Sequence, residues 1–70
     1  MTYLVVTEHG DSSWGAHVPD LPGCVAVGDT EEEVLSLIGE AIDAHLELLG
    51  QSGEPIPQPR TYPHVVEVAG

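Results

Sequence analysis

The sequence predicts a two-layer α+β domain in which a small antiparallel sheet packs against one long helix, in the order β-β-β-α-β. Apolar residues alternate with a period of two up to residue 28, and then recur at three- and four-residue spacing from Thr30 to Gly50. β-Branched residues return after a proline-rich segment near the end. Because a period of two indicates strands and a period of about 3.6 indicates a helix, the change at Thr30 separates the sheet from the helix.

Three short segments are predicted to be strands. The first runs from Thr2 to Glu8 and the second from Ser13 to Val18, and the turn-forming residues between them make a hairpin. The third runs from Cys24 to Val27. Pro22 and Gly23 precede it at the central positions of a predicted type II turn, because proline suits the first of these positions and glycine accepts the positive φ of the next.

The helix is predicted to begin after Thr30 and to end near Gly50 to Gly53. Thr30 is a good N-cap, and Glu33 stands three residues later, which is the spacing of a capping box. The apolar stripe consists of Val34, Leu37, Ile38, Ala41, Ile42, His45, Leu48 and Leu49, widened by Leu35 and Leu46. Gly39 costs a helix interior up to about 1 kcal/mol relative to alanine, and we expect it to permit a close approach to the sheet.

The end of the chain is predicted to be extended. The alternating prolines between Glu54 and Pro59 are typical of an extended segment without helix. Thr61 to Val68 has the β-branched composition of a last strand. If that strand is parallel to its neighbour, the crossover through the helix should be right-handed. Residues 1–70 are expected to form one domain.

Charge is the most informative property of the composition. Twelve acidic residues face one basic residue, Arg60, and the chain has no lysine. Nucleic-acid affinity comes largely from Lys and Arg side chains that neutralise phosphates, so direct binding of DNA or RNA is not expected. The natural complement of such a chain is a basic protein partner. The alternative is that the acidity only keeps the protein soluble.

Chain length and cysteine content favour association between copies. A domain of 70 residues has a small core, and the single cysteine, Cys24, excludes a disulfide within the chain. We therefore expect a homo-oligomer, formed either through unpaired sheet edges or through the wide apolar stripe of the helix. The sequence has no basic signal-peptide region after Met1 and no apolar run near the roughly 20 residues of a membrane span. A cytoplasmic location without membrane contact is expected.

Three motifs occur in an order that is typical of a known family. Trp14 on the second strand is followed by Pro19, Asp20, Leu21, Pro22, Gly23 and Cys24. The helix start contains Gly28, Asp29 and Thr30, followed by Glu32 and Glu33. After the helix come Gly53, Glu54, Pro55, Ile56 and Pro57, with Pro59. Over Tyr3 to Pro59 the chain resembles the HicB family of antitoxins. We predict that the first two motifs form a protein interface, and Trp14 is either an anchor of that interface or a core residue.

The resemblance implies a partial RNase H-like fold, with a last strand parallel to the first, and an antitoxin function in a type II toxin-antitoxin system. The implied partner is a HicA toxin, a small basic protein that cleaves mRNA and that HicB-like domains cover and silence. Many HicB proteins carry a C-terminal DNA-binding segment, which we expect to be absent because the sequence stops at Gly70. The alternative function is a stand-alone non-catalytic scaffold or small-ligand-binding domain.

No residue pattern indicates catalysis, a cofactor or a metal ion. A two-metal nuclease needs converging carboxylates, but the first strand has no central aspartate, and Asp11, Asp20 and Asp29 stand in predicted turns. The four histidines are far apart and lack the spacing of a metal site. Cys24 has the context of a small buried residue. We therefore expect a protein that is not an enzyme.

Overall fold

The computed structural model describes all 70 residues and contains three strands followed by one helix. The strands are β1 (Val6–His9), β2 (Trp14–His17) and β3 (Val25–Gly28), and the helix is α1 (Glu31–Gln51). The predicted α+β class and the order of these four elements are confirmed. β1 is shorter than predicted, because its pairing with β2, continued backwards, would place Leu4 opposite Pro19, which has no N–H and begins a turn.

The sheet has the order β1-β2-β3, and both pairs of strands are antiparallel. Thr7, Ala16 and Ala26 lie opposite one another across the three strands and point to the inner face, where α1 packs. Glu8, Gly15 and Val27 lie opposite one another on the outer face. β1 and β3 each have one unpaired edge.

Six side chains form the buried core between the sheet and the helix. These are Ala16, Val18, Leu21, Cys24, Val34 and Ile38. The helix packs mainly on β3 and β2. Truncating a fully buried leucine to alanine costs roughly 2–5 kcal/mol, so Leu21→Ala would remove much of the stability of so small a core.

Hydrogen bonds cap both ends of α1, and Thr30 is the N-cap residue, as predicted. At the start, the Thr30 hydroxyl accepts from the Glu33 N–H at 3.1 Å, and the Glu33 carboxylate accepts from the Asp29 N–H at 3.1 Å. The reciprocal bond therefore reaches Asp29 instead of the N-cap residue itself. At the end, the N–H groups of Gly53 and Glu54 donate to Gly50 and Leu49. This pair of bonds is a Schellman motif, and it confirms the predicted helix end.

The close approach between helix and sheet occurs at Gly28, and the expectation for Gly39 was wrong. A Cβ added at Gly39 would meet nothing within 4 Å, because this residue lies on the exposed side of α1. A Cβ at Gly28 would lie 3.0 Å from the Val34 backbone nitrogen and 3.1 Å from a Glu33 carboxylate oxygen. Glycine at position 28 lets the first turn of the helix fold back against the end of β3.

The structure has no strand at Thr61 to Val68, where the sequence predicts the last one. Every residue from Tyr62 to Gly70 is exposed, and none belongs to a sheet. Pro59 and Pro63 have no N–H to give to a ladder. A strand added beyond β1 would also lie outside the region that the helix mainly covers, so its valines would gain little burial. The parallel final strand implied by the resemblance is therefore not formed in the single chain.

We predict that replacing the N-cap residue, Thr30→Ala, lowers the free energy of unfolding by about 1 kcal/mol, because the Glu33 N–H loses its acceptor. The matched control Thr30→Ser keeps a hydroxyl and should remain close to the wild type. Urea unfolding followed by far-UV circular dichroism measures both. Equal midpoints for Thr30→Ala and the wild type would contradict the capping role.

Candidate protein-interaction site

The segment Pro19 to Cys24 is built from two consecutive turns. The Leu21 N–H donates to the Val18 carbonyl at 3.0 Å, and the Cys24 N–H donates to the Leu21 carbonyl at 3.0 Å. Gly23 has a φ of 85°, which confirms the predicted type II turn. Leu21 and Cys24 point into the core, whereas Pro19, Pro22 and Gly23 are exposed.

Asp20 joins this turn to the C-terminal part of the chain. Its carboxylate accepts hydrogen bonds from the Arg60 N–H at 3.0 Å, the Thr61 N–H at 3.1 Å and the Thr61 hydroxyl at 2.6 Å. We call these three bonds the Asp20 clasp. The hydrogen bond from the Thr61 hydroxyl and then that from the Arg60 N–H hold the pKa of Asp20 below its ordinary value of 3.8. Beside the clasp lies an open depression of about 420 Å³, lined by Pro19, Asp20, Pro22, Pro57, Gln58 and Arg60.

The remaining motif residues lie at the other end of β3. Gly28, Asp29 and Thr30 form the tight start of α1 described above. β3 separates them from the Pro19–Cys24 turn by about 13 Å at 3.3 Å per residue. The two motifs therefore do not meet in one pocket. Their buried members stabilise the fold, and an interface role for the exposed members stays a prediction.

Trp14 is half-buried on the inner face of β2 and packs against the core. Its ring stacks on the ring of His9, directly opposite on β1, with centroids 4.4 Å apart and an angle of 8° between the planes. The structure thus gives Trp14 a packing position at the end of the sheet, covered on one side by His9. Its role as an interface anchor stays a prediction.

The sequence analysis did not predict that the outer face of the sheet is uncovered. Val25 and Val27 point away from the helix and are 64% and 68% exposed. With Glu8, Gly15 and His17, among others, they line an open depression of about 410 Å³. The alternation of Val25, Ala26 and Val27 is the signal that could have identified this face, because a single helix covers only one side of a sheet.

The titratable side chains of the chain are mostly dispersed over the structure. No group of three or more His, Cys, Asp or Glu side chains is placed to hold a metal ion. Cys24 is buried, and burial raises the pKa of its thiol, which keeps it in the unreactive protonated form. The helix α1 lacks the continuous apolar length that crossing a bilayer requires. The most prominent surface feature of this acidic α+β domain is the uncovered outer face of its sheet.

Comparison with known proteins places the chain in a family. Residues 3–68 match the family described as "HicB_like antitoxin of bacterial toxin-antitoxin system", and the chain belongs to that family. No solved structure is significantly similar.

Three known proteins are similar to most of this chain. The chain is 40% identical over 55 residues to UPF0150 protein Ta0767 of Thermoplasma acidophilum, which covers 79% of this chain and 80% of the relative. It is 40% identical over 57 residues to UPF0150 protein ssr1765 of Synechocystis, covering 80% and 72%. It is 33% identical over 61 residues to Antitoxin HicB 2 of Photorhabdus laumondii, covering 87% of this chain but 44% of the relative. The chain thus spans less than half the length of that antitoxin.

We predict that the Asp20 carboxyl titrates below 3.8 and that Thr61→Val raises its pKa toward that value, because the shortest bond of the clasp is lost. The pKa of Asp20 is lower in the folded state than in the unfolded state. The clasp therefore stabilises the fold above pH 3.8, and this stabilisation disappears as the pH falls through the folded-state pKa. Carboxyl-carbon NMR against pH measures the titration. Thr61→Ser keeps the hydroxyl and should titrate like the wild type; a wild-type pKa at or above 3.8 would refute the clasp.

Proposed function

We propose that this chain is an antitoxin module that neutralises a small basic mRNA-cleaving toxin of the HicA type by binding it directly. Membership of the HicB-like antitoxin family supports the class of function. The observation that carries the proposal is the uncovered sheet face with its two exposed valines on a chain of net charge −11. The same proposal places the protein in the cytoplasm, where mRNA is cleaved, and gives it no catalytic step of its own.

The outer face of the sheet has the chemistry to receive a basic side chain. Gly15 leaves the middle of the face empty, and a Cβ built there would meet no atom within 4 Å. Glu8 and Val27 lie on either side of Gly15 in the register of the sheet. An arginine of the partner placed over Gly15 would pair its guanidinium with the Glu8 carboxylate and pack its methylene groups on Val27. Arginine is among the residues that dominate binding energy at interfaces.

The overall charge acts at longer range than these contacts. A toxin that cleaves mRNA has to attract phosphates, so its active surface is positive, and the negative field of this chain accelerates encounter with it. Binding there would cover the surface that RNA uses. A small-ligand function has less support, because the depressions on this chain are open to solvent, whereas small-molecule sites enclose most of their ligand.

The first test of this function is co-expression with a small basic toxin of the HicA type. We expect the wild type to relieve the growth arrest that this toxin causes and to form a complex with it. Val27→Lys and Gly15→Val should each weaken the complex at least about tenfold, or about 1.4 kcal/mol, since one adds a positive charge and the other fills the depression.

The matched control is Leu48→Lys, which introduces the same charge at a leucine of α1 that is 62% exposed. It should bind like the wild type, and circular dichroism checks that all variants are folded. No complex with the wild type would refute the antitoxin function. Equal loss of binding in Leu48→Lys and Val27→Lys would refute the outer sheet face as the contact surface.

We also infer that the chain alone does not bind nucleic acid at physiological salt. Arg60 is the one permanent side-chain cation, and its backbone N–H is held at the Asp20 carboxylate. The chain therefore has almost no positive charge with which to neutralise phosphates. Fluorescence anisotropy with duplex and single-stranded oligonucleotides at about 150 mM salt should show no saturable binding at low micromolar protein. Saturable binding there would contradict the inference, whereas binding by a complex with a basic partner would not.

A further inference from the structure

The segment Tyr62 to Val68, which we call the C-terminal tail, has the composition of a strand but no partner in the single chain. Val65 is 100% exposed, and Val66 and Val68 are also mostly exposed. No backbone group after Thr61 takes part in a hydrogen bond within the chain. Exposed β-branched residues with free N–H and C=O groups are what an added strand needs.

The start of the tail is nevertheless fixed. The Asp20 clasp holds Arg60 and Thr61, and the Tyr3 hydroxyl donates a hydrogen bond to the Pro57 carbonyl. A shallow cleft of about 270 Å³ separates residues 2–4 from residues 59–63. The tail therefore leaves the body of the molecule at a defined point, and it projects into solvent from there.

β3 provides an unprotected edge to which such a strand can add. Proteins usually block the edges of sheets with charged residues, proline or bulges. β1 carries Glu8, but β3 consists of Val25, Ala26, Val27 and Gly28, without a charged residue or a proline. Its outer valines are exposed and would lie beside the valines of the tail in an adjacent strand. β3 also lies under the helix, so an added strand would be close to apolar cover.

The charge of the tail favours a second copy of this chain as the partner. The stretch from Pro55 to Val66 is the longest in the sequence without Asp or Glu, and it contains Arg60 and His64. Two molecules of net charge −11 repel each other. Tyr62 to Val66 of the tail belong to this stretch, and Glu67 is the only acidic residue of the tail. Pairing the tail with the uncharged edge of β3 therefore adds little to the repulsion between the two copies.

We infer that two copies of this chain exchange their C-terminal tails, each tail adding as a strand to the β3 edge of the other copy. Each sheet then has four strands, and both contacts are related by one two-fold axis, which closes the assembly as a dimer. The exchange supplies the last strand that the sequence predicts and the single chain does not form. It does not depend on the toxin, because edge pairing uses backbone groups of β3 and leaves the outer face of the sheet open.

Sedimentation of the purified chain tests the exchange. The wild type should show a dimer of twice the 7.4 kDa chain mass over the micromolar range. The double variant Val65→Pro/Val66→Pro removes two adjacent N–H groups of the tail and should raise the dimer dissociation constant at least about tenfold. The matched control Val65→Thr/Val66→Thr keeps the β-branched residues and the N–H groups and should still dimerise.

Three results would overturn the inference. The first is a wild type that is monomeric at high micromolar concentration. The second is unchanged dimerisation of the double proline variant, which remains folded because the tail makes no contact that the fold requires. If Leu48→Lys then abolishes the dimer, the helix forms the interface. The third is amide hydrogen exchange in which dimerisation slows Val6–His9 instead of Val25–Gly28, since protection of β3 is expected.

Discussion

One constraint shapes the whole molecule: its sheet has two faces, and the chain has only one helix to pack against them. The 21-residue helix buries the inner face and leaves the outer face without a second layer. Full burial of a valine is worth roughly 1.5–3 kcal/mol, and Val25 and Val27 do not gain this within the chain. The valines of the C-terminal tail are also exposed and gain no burial within the chain. In the toxin complex and the dimer proposed above, these valines are buried in contact with other molecules, which is one way in which small domains gain stability.

The parts of the fold that could be predicted are those determined by local sequence. The change from a two-residue to a 3.6-residue period located the sheet and the helix, and the type II turn at Pro22 and Gly23 followed from the backbone preferences of those two residues. The capping residues predicted the start of α1, because an N-cap and its acceptor stand within one turn of each other. Each of these features needs only neighbours in the chain.

Features that depend on distant residues were not predictable in the same way. The sequence does not show whether Gly28 or Gly39 has room for a larger side chain. Only the packing of α1 on β3 shows that a Cβ would be crowded at Gly28 and not at Gly39. Asp20 has the sequence context of an ordinary turn aspartate, yet its hydrogen-bond partner Thr61 is 41 positions away. The valines of the tail indicate a strand, but a strand pattern does not specify which edge it joins, or in which molecule. The uncovered outer face of the sheet is different, because the alternation of Val25, Ala26 and Val27 is a local signal that indicates it.

The Asp20 clasp also limits how far residues 62–70 can reach from the body of the molecule. With Thr61 fixed, residues 62–70 can extend roughly 30 Å at about 3.3 Å per residue, which is comparable with the 28 Å width of the molecule. A fluorophore attached at Gly70 would therefore lie at the far end of a segment that is fixed to the body of the protein at Thr61. Its fluorescence would report the position and motion of residues 62–70, whereas a label on α1 would report the motion of the folded body of the protein.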